Sequence, residues 1–180
     1  YTTIFPSIAT VTLCVRRLQS ADWLRQKLAA DENRPPFALR LSTEPAAVVP
    51  LADIVATATT SETAVLQGNW LTAGAHVDLV GAYTVNMREA DDHTLQHGAL
   101  YVDCRDTTVE HIGELVIPLA SGAIQPDSVL GDLYDLIALG TGDGGRIRDP
   151  QQITVFKNGG GAHLDLMVAH HLMTLSLEES

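Results

Sequence analysis

The sequence is poor in basic residues and has no long apolar run, and each shortage excludes a class of protein. Its 11 lysines and arginines face 22 aspartates and glutamates, which gives a formal net charge of −11 over 180 residues. Because nucleic-acid phosphates are bound by clustered lysines and arginines, we expect no nucleic-acid partner. Since no apolar run approaches the roughly 18 residues of a spanning helix, we also expect no membrane insertion.

Cysteine is scarce as well, with two residues, Cys14 and Cys104. Two cysteines make neither a disulfide framework nor a cysteine-rich metal site, and we interpret them as buried thiols in strands of a cytoplasmic protein. We see no secretory signal, which agrees with that location. His93 and His97 have a spacing that can bind a metal, but no third ligand is evident nearby, so we predict an exposed helical face and no metal site.

What the sequence does contain is apolar residues, 46% of the chain, grouped in short β-branched runs. These runs predict strands at 8–15, 37–41, 53–58, 76–80, 99–104 and 153–156. Helical spacing between the runs predicts helices, among them 128–139 and 162–177. Strands that alternate with helices favour parallel pairing. We therefore predict an α/β fold, a Rossmann-like, doubly wound and mostly parallel sheet.

Continuous apolar runs of this kind are typical of strands that are buried on both faces. We expect the strands 8–15, 53–58 and 76–80 to pair side by side. Open parallel sheets bind their ligands at the carboxyl ends of the strands, so the residues after each run are the first candidates for a site.

Small and hydroxyl-bearing residues follow two of these runs. Small side chains let a flat cofactor approach closely, and hydroxyl groups can bond a ribose. The alternative is ordinary strand packing with a helix-capping Thr-Ser pair. The candidate cofactor-binding residues are Thr57, Ala58, Thr59, Thr60, Ser61, Gly81 and Ala82.

A second glycine-rich stretch, residues 140–145, matches the dinucleotide-binding pattern GxGxxG letter for letter. That pattern binds a pyrophosphate only between a strand and the first turn of a helix. Here a predicted helix precedes it and a turn follows it. We interpret 140–145 as a plain loop.

Several segments together resemble the ornithine cyclodeaminase and mu-crystallin family. Within that family, residues 81–89 and 156–166 are most similar to the bacterial Δ1-pyrroline-2-carboxylate reductases. The resemblance implies reduction of a cyclic imino acid, Δ1-pyrroline-2-carboxylate to L-proline, with NADPH or NADH, in hydroxyproline breakdown. The segments that carry the family resemblance are 52–61, 74–82, 88–89, 102–103 and 153–158.

The resemblance also implies a domain organisation. Residues 1–150 correspond to an NAD(P)-binding domain without its first strand and Gly-rich turn, so the fold is expected to be truncated at its N-terminus. Residues 151–180 correspond to a segment that returns toward a substrate and dimerisation domain. We expect a homodimer at full length, a substrate-carboxylate clamp in the absent N-terminal part, and little or no activity from the 180 residues alone.

Residue roles follow from the same resemblance. Arg16 and Arg17 end the strand beside the adenosine ribose, where arginine suits the 2′-phosphate of NADPH, although a solvated basic pair is the alternative. Tyr83 and Thr84 are the candidate catalytic residues, because their hydroxyls would orient the imine or relay a proton; packing at a domain edge is the alternative for Tyr83. The candidate residues near the nicotinamide, otherwise a flexible connector, are Lys157, Asn158 and Gly159.

One departure from the family pattern separates the candidate activities. Ornithine cyclodeaminases carry a catalytic aspartate at the position of Tyr83, so cyclodeamination is disfavoured and imine reduction is favoured. The alternatives are an ornithine cyclodeaminase or amino-acid dehydrogenase of the same family, or a non-enzymatic protein that binds NADPH and a small ligand, as mu-crystallin does. Cations near strand ends that could hold a substrate carboxylate are Arg88, Arg105 and Lys157.

Overall fold

Strands alternate with helices along the chain, as the sequence predicts. The computed structural model describes residues 1–2, 4–31, 37–138 and 149–178. Within those ranges the strands are β1 Thr10–Cys14, β2 Ala38–Ser42, β3 Ile54–Thr57, β4 His76–Leu79, β5 Ala99–Val102, β6 Val129–Gly131 and β7 Thr154–Lys157. The α-helices there are α1 Asp22–Ala30, α2 Pro45–Val48, α3 Asp92–His97, α4 Arg105–Thr108, α5 Gly113–Ser121, α6 Leu133–Ala138 and α7 Ala162–Glu178. The chain divides into two units, Tyr1–Leu51 and Ala52–Ser180.

The first unit contains a two-stranded parallel sheet. β1 pairs with β2 from Thr10 opposite Ala38 to Cys14 opposite Ser42, and α1 connects the two strands. The expected pairing of 8–15 with 53–58 is therefore wrong for the described residues, because β1 pairs with the next strand along the chain in a sheet that does not include β3. The prediction of two buried thiols is also wrong, since Cys14 is exposed and Cys104 is half-buried.

The second unit contains a five-stranded sheet in the order β3-β4-β7-β5-β6, and every pair in it is parallel. The predicted pairing of 53–58 with 76–80 is confirmed by the β3–β4 ladder. β7, the last strand in sequence, lies between β4 and β5. This crossover brings the carboxyl ends of β3, β4, β7 and β5 to the same edge of the sheet.

One predicted helix is wrong in its first part. Residues 128–139 begin with the strand β6, in which Val129 lies opposite Leu100 and Gly131 opposite Tyr101. α6 begins only at Leu133. A three-residue strand is too short for its periodicity to differ from that of a helical turn, so the sequence pattern alone could not separate the two elements.

The core of the second unit lies in the central strands. Val77, Leu79 and Leu100 are fully buried. In β4 the buried Val77 and Leu79 alternate with the half-buried His76 and Asp78. The prediction of a strand buried on both faces is therefore wrong for β4. The two faces of β4 are covered to different degrees, in step with the alternation of polar and apolar residues in its sequence, His-Val-Asp-Leu.

The final helix, predicted over 162–177, is confirmed as α7. It exposes large apolar side chains, including Leu166, Met167 and Leu172, each at least 60% exposed. Despite this apolar surface, none of the described helices has the combination of length and hydropathy that a bilayer crossing requires.

Candidate functional site

Backbone hydrogen bonds join the strand ends of the second unit into one continuous edge. The Val80 N–H donates to the Thr57 carbonyl at 3.0 Å, and the Asn158 N–H donates to the Leu79 carbonyl at 3.0 Å. The Asp103 N–H donates to the Lys157 carbonyl at 3.1 Å. The segments that follow β3, β4, β7 and β5 therefore lie side by side. Open α/β folds bind their ligands at this kind of edge.

The segment after β3 presents small side chains. Ala58 and Thr60 are exposed, whereas Ser61 is buried and its hydroxyl donates to the Thr63 carbonyl at 2.6 Å. The Thr59 hydroxyl accepts the Ser61 N–H at 3.3 Å. The Thr57 hydroxyl is buried and has no hydrogen-bond partner among the described residues. The hydroxyls of Thr59 and Ser61 therefore stabilise the turn, and the Thr57 hydroxyl has unused hydrogen-bonding capacity.

The segment after β4 approaches the first segment very closely. A Cβ atom at Gly81 would overlap the backbone of Thr59 and the carboxylate of Glu89, so only glycine fits there. Ala82 is fully buried, and Tyr83 is 62% exposed. The Thr84 carbonyl accepts the N–H groups of Met87 at 3.2 Å and Gly113 at 2.9 Å. These hydrogen bonds fix the backbone at Thr84, while the Tyr83 ring is accessible to solvent.

Lys157 is buried inside this edge. Its side chain has no exposed surface, and its ammonium donates to the carbonyls of Leu79 at 3.0 Å and Asn158 at 2.5 Å. Burial lowers the pKa of Lys157, while the nearby carboxylates of Glu114 and Glu89 act in the opposite direction. In this structure the ammonium supports the ends of β4 and β7 and does not face solvent.

Three buried carboxylates act electrostatically on Lys157, and none of the three is predicted as a functional residue from the sequence. Glu89, Glu114 and Asp103 have no exposed surface. Each contributes to the electrostatic environment of the lysine and favours its charged form. A signal for one of them does exist in the sequence, because Glu114 is the only charged residue in the otherwise apolar α5.

Glu114 holds the chain on either side of the Glu89–Ala90 peptide bond. Its two carboxylate oxygens accept the N–H groups of Glu89 at 2.7 Å and Ala90 at 2.9 Å. Burial raises the pKa of Glu114, and the two backbone hydrogen bonds and Lys157 lower it in part. The side chain of Glu114 therefore fixes the position from which Glu89 extends.

Asp103 organises the end of β5. Its Oδ1 atom accepts the Thr108 hydroxyl at 2.6 Å and the Cys104 N–H at 2.8 Å, while Oδ2 is buried without a partner among the described residues. A Cβ atom at Gly159 would overlap the Thr108 hydroxyl. The segments after β5 and β7 are therefore also in close contact, through a side chain and not through backbone as at Gly81.

The glycine-rich segment after β7 forms a turn before α7. The Gly160 N–H donates to the Asn158 side-chain oxygen at 2.7 Å, and Gly160 has a φ of +69°, which favours glycine. Asn158 and Gly159 thus lie at the same edge as Gly81. The structure brings these candidates together with residues 57–61 and 81–84; their roles stay predictions.

Other candidate residues lie elsewhere or have other partners. Arg16 and Arg17 follow β1 in the first unit, where both are exposed. The Arg88 guanidinium contacts Asp92 at 2.8 Å, and that of Arg105 contacts Asp135 at 3.2 Å. Arg88 and Arg105 therefore already have carboxylate partners within the protein.

The two histidines that share a helical face stack on each other. The ring centroids of His93 and His97 are 3.9 Å apart in α3, and Asp91 caps this helix by accepting the Thr94 N–H at 2.9 Å. In the part of the chain that the structure describes, no cluster of three or more metal-ligating side chains is found. The stretch 140–145, interpreted as a loop, lies outside the described residues.

The parallel sheet with helices between its strands, and the similarity of the chain to solved Rossmann-like structures, define the class as a Rossmann-like α/β fold, and the predicted fold class is confirmed. Within that class, the chain belongs to the ornithine cyclodeaminase/mu-crystallin family, whose sequence pattern matches residues 4–178. The resemblance that the motifs indicate is thereby confirmed.

Individual relatives agree with this assignment. The chain is 48% identical over 179 residues to a Δ1-pyrroline-2-carboxylate reductase of Paracoccus denitrificans. The aligned region covers 96% of this chain and 52% of the relative. Its fold is similar to that of the Thermococcus litoralis Δ1-pyrroline-2-carboxylate reductase in complex with NADH and L-proline (TM-score 0.73, 22% identity, 85% of this chain and 46% of that one). It is also similar to an archaeal alanine dehydrogenase dimer with bound NAD (TM-score 0.77, 22% identity, 96% and 51%). The chain thus spans about half the length of the relatives that it matches.

Proposed function

We propose that this chain is the nucleotide-binding part of an NAD(P)H-dependent imino-acid reductase that converts Δ1-pyrroline-2-carboxylate to L-proline. The observation that carries the proposal is the edge formed by residues 57–61 and 81–84, where Gly81 lets two strand ends approach to backbone contact. The 48% identity to a reductase with this activity supports the choice of substrate. Tyr83, where a cyclodeaminase would carry an aspartate, supports reduction over cyclodeamination.

The residues of this edge fit a dinucleotide cofactor. A bound dihydronicotinamide supplies the hydride, and the protein supplies orientation and electrostatics. In our proposal Thr57–Ser61 hold the central sugar and phosphates, which would give the unpartnered Thr57 hydroxyl a bond. Gly81 and Ala82 leave room for the ring, and Asn158 and Gly159 adjoin it. The hydroxyls of Tyr83 and Thr84 orient the imine and hold the proton that its nitrogen needs.

The test of this proposal is turnover by the protein at its full encoded length. We expect oxidation of NADPH or NADH, followed by the loss of absorbance at 340 nm, when Δ1-pyrroline-2-carboxylate is added, with L-proline as the product. Ornithine and alanine serve as comparison substrates with NAD(P)+ as the cofactor: alanine dehydrogenation is followed by the rise in absorbance at 340 nm, and ornithine cyclodeamination, which leaves the nucleotide unchanged overall, by the release of ammonia and proline. Turnover of either in preference to the cyclic imine would contradict the proposal, as would nucleotide binding without any turnover, which is expected of a binding protein similar to mu-crystallin.

For the cofactor we propose a preference for NADPH over NADH, supported by Arg16 and Arg17 after β1. Loss of charge-assisted hydrogen bonds costs roughly 1.5–3 kcal/mol, or about 10–100-fold in affinity. The double substitution Arg16→Ala with Arg17→Ala should therefore raise the KM for NADPH by at least about tenfold and leave the KM for NADH within about twofold. Arg25→Ala, an exposed arginine in α1, is the matched control. Equal effects on both cofactors would contradict the preference.

We also propose that α7 packs against a substrate and dimerisation domain outside this chain, in a cytoplasmic homodimer. The exposed apolar side chains of α7 support this, because a helix with apolar residues on all sides is typical of a buried position. The half-length coverage of the relatives supports it as well. In this proposal the substrate-carboxylate clamp belongs to that other domain, since Arg88 and Lys157 have partners of their own and the Nη1 atom of Arg105, which has none among the described residues, is buried.

A further inference from the structure

We propose that Glu89 is a positioning residue, whose buried carboxylate sets the spacing between the two strand ends that hold cofactor and substrate. This inference rests on the proposed function, because that function gives the two strand ends their roles. The side chain of Glu89 has no exposed surface. Its Oε1 atom accepts the Thr59 N–H at 2.5 Å, and its Oε2 atom accepts the Gly81 N–H at 2.6 Å. One carboxylate thus joins segments that belong to two different strands.

The place of this contact is where the β3–β4 ladder ends. The last register pair is Thr57 opposite Leu79, and the last ladder hydrogen bond is from the Val80 N–H to the Thr57 carbonyl. Two residues further on, Thr59 and Gly81 both direct their N–H groups at Glu89. The carboxylate therefore continues the connection between the two strands beyond the ladder and satisfies two half-buried backbone donors.

Glu89 is itself held rigidly from its backbone. Its N–H donates to the Glu114 carboxylate at 2.7 Å, and its carbonyl accepts the N–H groups of Val65 at 2.8 Å and Leu66 at 2.9 Å. Because the backbone of Glu89 is bonded to the 65–66 segment and to α5, these two elements determine where its carboxylate lies at the cofactor edge. Precise placement of the reacting groups is where much of the catalytic effect of such a site comes from.

A carboxylate is required because both of its oxygens act as acceptors. Glutamine has nearly the same shape, but it has one acceptor oxygen and one NH₂ group. In Glu89→Gln, one of the two backbone N–H groups would therefore face another donor, and the two strand ends would separate at that point. Aspartate keeps the charge but is shorter by one methylene, so it cannot reach both N–H groups from the same backbone position.

The experiment measures binding of NADPH and NADH by fluorescence titration, and steady-state kinetics, on the protein at its full encoded length. For Glu89→Gln we expect the Kd of the preferred nucleotide to rise by at least about tenfold, as a lost hydrogen bond to a charged group allows. We also expect the KM for the nucleotide to rise with it. The exposed Glu110→Gln is the matched control and should bind as the unaltered protein does.

The titration separates positioning from a purely structural role. If Glu89 served folding alone, the substitution would lower kcat through the folded fraction and leave the Kd of the folded molecules unchanged, which would overturn the inference. If Glu89→Gln does not fold, Glu89→Asp is measured in the same way, and failure of both to fold would also overturn it. An unaltered protein that binds neither nucleotide would refute the proposed function instead, so the two failures are distinguishable.

Discussion

Replacing Lys157 with methionine is expected to lower the free energy of unfolding by about 3–5 kcal/mol, the cost of removing one partner from a buried charge cluster. Lys157 has no exposed surface, and neither have Glu89, Glu114 and Asp103 nearby. Methionine has a similar length and no charge. It would leave three buried carboxylates without their cation and two carbonyls, of Leu79 and Asn158, without its hydrogen bonds.

The measurement is urea denaturation of the substituted and unaltered proteins under identical conditions. Lys27→Met is the matched control, because Lys27 is the other lysine of the sequence and its side chain is exposed on α1. Exposed charges contribute roughly 0–1 kcal/mol, so the control should change the unfolding free energy by no more than that. A Lys157→Met protein as stable as the control would show that the carboxylates do not need the lysine.

A single methyl group at Gly81 should disrupt the candidate site. The Cβ atom of Gly81→Ala would overlap the Thr59 backbone, which cannot rotate away as a side chain can. Overpacking of this kind costs roughly 1–3 kcal/mol of stability and is relieved only by backbone shifts. Such a shift separates residues 57–61 from residues 81–84. We therefore expect the Kd for NADPH to rise by more than about tenfold, which corresponds to roughly 1.4 kcal/mol.

Gly131→Ala is the control for this prediction. Gly131 is also at the end of a strand, but a Cβ atom there would meet the side chains of Tyr101 and Asp135 at an ordinary 3.4 Å. Where the backbone tolerates it, a change from glycine to alanine alters stability by about 1 kcal/mol or less. Nucleotide titration gives the Kd for NADPH of both variants, and urea denaturation gives their free energy of unfolding. Equal changes of these two quantities in both variants would contradict a special role for Gly81.

The order of the strands shows where prediction from sequence stops. The β-branched runs predict the individual strands, because alternation and run length are local properties. The position of β7 between β4 and β5 depends on pairing across the chain, since Thr154 lies opposite both His76 and Ala99. Similarly, β1 pairs with β2 and not with β3, and no local pattern distinguishes these partners.

The buried charges illustrate the same limit at the candidate site. Glu89 follows Arg88 in the sequence, yet one is buried and fully bonded to backbone while the other forms an ion pair with Asp92 near the surface. Lys157 is a plausible anion ligand by sequence, next to a run of glycines. Only its burial, and the hydrogen bond to a carbonyl 78 residues away, show that it supports the sheet edge from inside.

Local patterns were sufficient for the α/β class, the family and the small residues at two strand ends, because each depends on residues that are close together in the chain. Tertiary packing alone determined which of those strand ends meet and which charges lie beneath them. The reason is physical: Lys157, Glu114 and Glu89 are buried with backbone groups that are distant in the sequence as their hydrogen-bond partners, and such long-range pairing leaves no periodic trace in the sequence.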